Sequence, residues 1–600
     1  MKNFSRYYQD ELLFLREKGG AFAKAHPEIA SKLDIKNGAS LDPQTERIIE
    51  AVAFMSAKLH QKIDDNAQDI AGCLLSALYP NLINVFPPCS IARFEPDGAV
   101  STSEKVFVPK NTNLFATSRS GVECLFRTVF PTNIYPIFVN GVNLAKASGA
   151  KGNVDGWRIE INLSSRGNFM EKLGIDDLLF HINSEVIEDS LLIYASIFSN
   201  PSRSVFLKIN DKYIKIDDKN FIKCGFDDKD SICPVPKYST NSFQLFQEML
   251  HFKRKFMFFR ILGLDELMAS SDVTEIENIS ILIDVAFLSD RLLQIVKNDS
   301  LIINAVPIVN LFPATSDPFR FDGTKTKYLL LADQAKDKSV EIHSILNVHM
   351  VNSDTKEDSI VQPYFSLAVD SDTNVLHDVY WLAGKDSAAI RNIEGFDTYI
   401  SFVDTKMNPH KIYDNVVYAK TLCTNRFETQ DIPAFSNLQV ESIEISGYTT
   451  KLLHKATTPI SFAEHTTALW NLISQLSSTH ISMTKAGNLL TSIRGLMNIF
   501  SSGNQMKADE LLDNIKDIQV KDNVRRFGKD AWRGFVRGNE VLVYTKEEEA
   551  FFSYFFCDVL NQYLSSSVSI NSFVELKLIS DASAKTIASW RPTSGKQDLL

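Results

Sequence analysis

Apolar positions recur at intervals of three and four near the start of the chain, then in short runs and alternations after about residue 90. Tyr8, Leu12, Leu15, Gly19 and Phe22 follow the first rhythm and line one face of a predicted helix. A second helix is expected with Asp42 as its N-cap and Pro43 at its first position, where the missing N–H leaves no bond unmade. Behind it Ile48, Val52, Met55, Leu59 and Ile63 form a long stripe, with Glu46 and Glu50 off the stripe near the positive end. A third segment carries Ile70, Leu74 and Leu78, stops near Tyr79-Pro80, and precedes an extended break at Pro87-Pro88. Three short helices offer limited mutual burial. Their stripes therefore pack on one another or against another chain, and the pattern admits both.

From about residue 91 the rhythm changes. VFVPKNTNLF, SLLIYASIF, SVFLKIN, ISILIDVAFL and TKYLLLAD are short, rich in β-branched or aromatic residues, and bounded by turn formers, which predicts strands. Helices are expected from Phe243 to about Leu250 and from Ala486 to Phe500, the latter aligning Leu489, Ile493, Leu496 and Phe500. A late helix is predicted to start at Thr545 as N-cap, with Glu548 completing a capping box and Glu547 to Glu549 in the first turn. It leads into the apolar stretch FFSYFFCDVLNQYL. Ser501-Ser502-Gly503-Asn504 reads as a loop, and DELLDNIKDI after it as a short exposed helix. The fold class is thus α+β and multidomain, an N-terminal helical segment followed by several β-rich domains. Provisional boundaries fall at 1–90, 91–240, 241–400 and 401–600. There is no internal repeat and no long Gly/Ser linker.

Composition narrows the function classes. With 63 basic and 73 acidic residues the net charge is −10, so nothing general attracts a phosphate backbone or an anionic bilayer, and no nucleic-acid partner is expected. Lys253-Arg254-Lys255 is too short a basic run to change that. Seven scattered cysteines describe neither a disulfide framework nor a CxxC pair and read as buried thiols. The start of the chain meets Asp10 and Glu11 before any long apolar run, a poor secretion signal, and no stretch approaches a membrane span. A cytoplasmic protein is expected. GxGxxG, Walker A, HExxH and GxSxG are all missing, and Gly323-Thr324-Lys325 lacks the upstream glycine of a phosphate loop. His343 and His349, six apart, have no nearby cysteine or acidic spacing to complete a metal site. No enzyme, cofactor or metal is expected. A hydrolase assembled from distant residues is the competing chemical reading.

The same segments carry a family resemblance. YYQDELLFLREKGGAFAKAHPEIASKL opens the chain, followed by DPQTERIIEAVAFMSAKL at 42–59 and LLSALYPNLINVFPP at 74–88. CLFRT at 124–128, GFDDKDSICPVP at 225–236 and FQLFQEMLHFKRKFMFFRILGL at 243–264 come next, then VPIVNLFPATSDPFRFD at 306–322 and EIHSILNV at 341–348. CTNR at 423–426, LWNLISQLSSTHISM at 469–483, FVRGNEV at 535–541 and SINSFVELKL at 569–578 complete the series. In this order the chain resembles the TssF family, wedge subunits of the type VI secretion baseplate. It departs at Lys253, where the family commonly has proline, which frees φ and adds a charge.

The resemblance implies a fold like the wedge proteins of contractile phage-tail baseplates and a structural role, anchoring the spike and tube and triggering the sheath. It implies two copies of the chain with one TssG, further contacts to TssK, TssE and spike or hub proteins, and indirect docking at the inner membrane. It also implies that the N-terminal helices enter an intersubunit bundle. Leu12, Leu15, Phe22, Ile48, Val52, Met55 and Leu59 are the interface candidates on those helices. Asn310, Phe312, Asn425 and Arg426 form a second candidate group, read as a structural motif fixing turns through backbone bonds, with Arg426 also able to reach a partner carboxylate. An adaptor working outside secretion is the alternative to the baseplate role.

Overall fold

The computed structural model describes residues 2–594 except 29–34, 37–38, 41–42, 97–104, 148–155, 166–168, 201–202, 236–241, 272, 274, 286–289, 353–355, 365–374, 392, 405–414, 442–444, 446, 462–468, 471, 475–488, 501–511, 527–534, 547–550 and 569–571. It divides into two units, one of residues 1–76 with 463–474, the other of 77–462 with 475–600.

The first unit is helical. Helix α1 spans Lys2–Ala25 and helix α2 spans Pro43–Leu78. Pro43 opens α2 as expected; Asp42 lies outside the described residues. The second and third expected helices are one continuous element of 36 residues. No proline interrupts the sequence between Pro43 and Pro80, and a single Gly72 costs only about 1 kcal/mol, too little to end a helix. The break comes at Tyr79, before a four-residue helix Pro80–Ile83.

The second unit is dominated by sheet. Six strands close a barrel: Cys89–Pro96, Asn113–Thr117, Glu123–Thr128, Ala305–Val309, Asn437–Val440 and Tyr448–Leu452. Its core includes Ile91, Phe94, Leu114, Phe126, Val306, Ile308 and Leu452. An eight-stranded sheet runs between Phe312–Thr315 and Tyr328–Leu330, with a separate core around Ile342, Val348, Ile400 and Val417. A five-stranded and a four-stranded sheet fill the region between the first barrel strands and Ala305. In the C-terminal sheet Phe535–Thr545 and Phe573–Ser580 pair in parallel, joined by the helix Phe551–Ser567. That helix packs against Ile187–Phe198 and Ser242–His251 through aromatic contacts such as Tyr194–Phe555 and Phe246–Tyr563, the latter with ring centroids 4.8 Å apart. The architecture is the expected α+β one.

Three local expectations fail for physical reasons. SLLIYASIF is not a strand but most of the helix Ile187–Phe198, with every residue from Ser190 to Phe198 buried. An apolar run enclosed on all sides has no periodicity to separate helix from strand. In DELLDNIKDI the helix ends by Asp513 and Ile515–Arg526 is a strand, drawn into pairing with Phe535–Thr545. Thr545 ends a strand rather than capping a helix. Its hydroxyl donates to the Asn514 carbonyl at 3.1 Å and meets Ser553 Oγ at 2.8 Å, while Glu547 to Glu549 lie outside the described residues.

Candidate assembly interface

In the helical unit α1 and α2 run antiparallel, held by polar pairs along their seam. Arg16 pairs with Glu46, and Glu11 accepts a hydrogen bond from Ser56 at 2.9 Å and meets His60. Phe4 and Phe54 stack edge to face with centroids 5.0 Å apart. Opposite α1 the residues of α2 that vanish from solvent are Ala53 and Ala57, both 0% exposed, and nearer the end of the helix Leu75 is buried too. Small side chains at this seam let the helices approach closely.

The large apolar residues of α2 point elsewhere. Ile48, Val52, Met55, Leu59 and Ile63 are all exposed, Met55 at 66%. At about 100° per residue they lie roughly a third of a turn round the helix from the alanine seam. Of the α1 candidates, Leu12 and Leu15 are half-buried and Phe22 is exposed. The pattern missed Leu13, Phe14 and Phe54, which are also exposed. An adjacent Leu-Phe pair beside an established stripe was the available signal. A stable two-helix hairpin would place its bulky residues inward; between Ile48 and Ile63 α2 does the reverse. Full burial of each such side chain is worth about 1.5–3 kcal/mol, so the stripe is a substantial unspent driving force.

The second candidate group sits in the β unit and joins two of its sheets. Asn310 Nδ2 donates to the Leu125 carbonyl and to Asn425 Oδ1, each at 2.7 Å, while the Asn425 N–H donates to Asn310 Oδ1 at 2.7 Å. Leu125 N–H donates back to Asn425 Oδ1 at 3.1 Å. These bonds tie the barrel strand Glu123–Thr128 to the end of Asn415–Thr424 in the eight-stranded sheet. Phe312 pairs with Cys423 and is buried in that sheet's core. Arg426 adopts φ 48° and is buried, donating to the carbonyls of Val340 at 3.2 Å and Glu394 at 2.9 Å. Glu341 and Asp397 lie 3.6 and 3.5 Å from its guanidinium. A Cβ at Gly395, where φ is 109°, would come within 2.4 Å of Glu341, so this cluster requires glycine. Burial pushes the Glu341 carboxyl up, opposed by Lys385 and Arg426.

Around the Lys253 departure the turn forms without proline. Lys253–Phe256 is a 3₁₀ turn in which the Lys255 N–H donates to the Phe252 carbonyl at 3.2 Å. Lys255 forms a fully buried ion pair with Glu248, which also accepts from the Ile232 N–H at 2.9 Å and from Gln244 at 3.2 Å.

His343 and His349 are both buried, and among the described residues no group of three or more His, Cys, Asp or Glu side chains could hold a metal ion. The six described cysteines are free thiols. No described helix is long and apolar enough to cross a membrane.

Comparison with known proteins bears on these features directly. Residues 1–597 match the family model described as Type VI secretion system, TssF. The type VI secretion system component TssF1 of Pseudomonas aeruginosa is 23% identical over 608 residues, covering 95% of this chain and 96% of that protein. A chain of the TssK-TssF-TssG baseplate subcomplex solved by cryo-electron microscopy superposes with a TM-score of 0.71 at 21% identity, over 92% of this chain and 99% of that one. A chain of the type VI secretion baseplate complex gives 0.57 at 18% identity, over 99% and 100%. The chain belongs to the TssF family of the type VI secretion system.

Proposed function

We propose that this chain is a structural subunit of the baseplate wedge, without catalytic chemistry of its own, and that its helical unit is the part that docks into a bundle with TssG. The observation that carries the reading is the inverted helix pair: Ala53 and Ala57 buried at the seam, Ile48, Val52, Met55 and Leu59 turned to solvent. Helices of a second chain laid along that stripe complete a bundle with an ordinary apolar centre. Leu12, Leu15 and Phe22 border the same contact. The solved assembly that resembles this fold contains TssK, TssF and TssG, which supports TssG and TssK as partners. Two copies of this chain with one TssG, contacts to TssE and the spike, and cytoplasmic assembly docked indirectly at the inner membrane complete the proposal. Within the chain, the Asn310–Asn425–Arg426 cluster serves as a rivet between barrel and sheet.

The test is coexpression with the neighbouring TssG and measurement of absolute mass by light scattering after size exclusion. A complex of two copies with one TssG is the expected result. Two folded chains that elute separately, or a Met55→Asp variant that associates as well as the unaltered chain, would sink the stripe as an interface.

A further inference from the structure

Two stretches of the family resemblance, FVRGNEV and SINSFVELKL, meet in the C-terminal sheet where Gly538 pairs with Phe573. The backbones are so close that a Cβ on Gly538 would lie 2.3 Å from the Phe573 carbonyl oxygen. From Gly538 to Thr545 the strand has a neighbour on each side, Ile515–Arg526 and Phe573–Ser580. Among the described residues the second neighbour begins only at Phe573. Ahead of Gly538 the pairs Val524–Arg537, Arg525–Val536 and Arg526–Phe535 therefore run on as a two-stranded ribbon.

Successive residues alternate between the two sides of the ribbon. One side carries Val524, Arg526, Phe535 and Arg537, all exposed, Val524 at 55% and Phe535 at 77%. The other side is held down: Arg525 pairs with Glu575 at 2.7 Å, and the Ser572 hydroxyl donates to the Arg537 carbonyl at 2.9 Å. The exposed side continues the face of Val541, Val543 and Thr545. That face lies under the helix Phe551–Ser567, where Thr545 Oγ1 meets Ser553 Oγ at 2.8 Å. The helix has 17 residues and is about 25 Å long, close to the length of strand from Thr545 back to Gly538. The face thus runs on past the end of its cover.

Val524 stands diagonally opposite Phe535, and Arg526 diagonally opposite Arg537, each pair near enough to share one occupant. Residues 523–526 and 535–538 hold three arginines and no acidic residue, in a chain of net charge −10. Like charges facing one another disfavour a second copy of the ribbon as the occupant. The acidic remainder of the chain disfavours a nucleic acid or an anionic bilayer. We infer that this face docks an acidic amphipathic helix of another wedge chain, its apolar stripe on Val524 and Phe535 and its carboxylates on Arg526 and Arg537. Such a helix extends along the ribbon the cover that Phe551–Ser567 supplies to the sheet. The inference rests on the assembly role proposed above and adds to it a second contact, on the β unit.

The experiment uses the full chain coexpressed with its neighbouring TssG, TssK and TssE, unaltered or carrying Phe535→Ser, Arg537→Glu or Arg537→Lys. Both side chains are exposed, so the melting temperature of the chain alone is expected to stay the same in every variant. Phe535→Ser is expected to weaken association with one wedge chain about thirtyfold, as loss of an aromatic anchor does. Arg537→Glu is expected to weaken the same association, by a factor that shrinks at high salt, while Arg537→Lys keeps most of it. Association of Phe535→Ser and Arg537→Glu equal to that of the unaltered chain would overturn the inference, as would a melting temperature that falls with the loss of association. So would a loss confined to self-association of this chain, or binding to phosphatidylserine vesicles that Arg537→Glu abolishes while every partner still binds. Failure of the unaltered chain to assemble at all refutes the baseplate role itself, a different result from assembly that ignores the ribbon.

Discussion

Two helical regions of this chain have similarly apolar sequences and opposite fates. In Phe551–Ser567 the large residues Phe555, Phe556, Val559 and Leu560 are wholly enclosed by the neighbouring helices and sheet. In α2 the large residues Ile48, Met55 and Leu59 face water and the alanines face inward. An apolar stripe therefore says that a helix has something to bury, while its neighbours decide whether the chain itself supplies the cover. In the first case burial stabilises the fold; in the second the described residues of the chain leave the stripe uncovered.

The sharpest way to break that contrast is to attack the enclosed side. Glu248→Ala strands Lys255 in the interior and should cost about 3–5 kcal/mol, whereas replacing both residues with methionine should recover most of it. Hydrogen exchange in the helix Ser242–His251 would show both effects. Phe556→Ala should cost a similar or slightly smaller amount, about 3–5 kcal/mol, through the cavity it opens; unchanged protection of Phe551–Ser567 would refute the enclosed reading.

Acid should next separate the regions. Burial, with like charge from neighbouring cations, holds the folded pKa of His343 and of His454 at about 3, and that of His181 well below the usual value. An unfolded histidine titrates near 6.5, so the unfolded chain takes up protons first as pH falls. The stability these neutral rings permit is complete above pH about 6.5 and declines from there toward pH 3. Protection factors, which correct for the slower intrinsic exchange at lower pH, should fall between pH 7 and pH 5 in the segments bearing these rings, and a His454→Gln variant should flatten the local change. Arg16→Ala should cost only about 0.2–1 kcal/mol, the value of a solvent-accessible pair, read as faster exchange in α1 alone. Met55→Ser should change the stability of the isolated chain least, within about 0.5 kcal/mol, while still impairing association; a large loss of stability would move Met55 into the internal core.

The helices of the first unit were legible because proline and the three-four rhythm mark them locally. So were the strands Ser204–Ile209 and Asn278–Val285, where β-branched residues cluster between turn formers. What stayed hidden depends on distant partners. Ser190 to Phe198 are enclosed on every side, so their apolar run carries no period, and Ile515 becomes a strand because Thr545 is opposite it. At the candidate interface the stripe itself was readable, but its exposure was not, since that required knowing that Ala53 and Ala57 form the seam. Asn310 and Asn425 are 115 residues apart, and nothing in either local sequence announces that their amides meet.

The barrel has a consequence for synthesis. Its strand Cys89–Pro96 pairs with Tyr448–Leu452, so a segment made early waits for one made about 350 residues later, on the order of 20–70 s at ordinary translation rates. During that interval the nascent chain carries an unfilled strand edge rich in apolar side chains. Holding such an edge apart from other growing chains is a task for ribosome-associated chaperones, and slowing elongation before residue 448 should lower soluble yield without altering the finished protein.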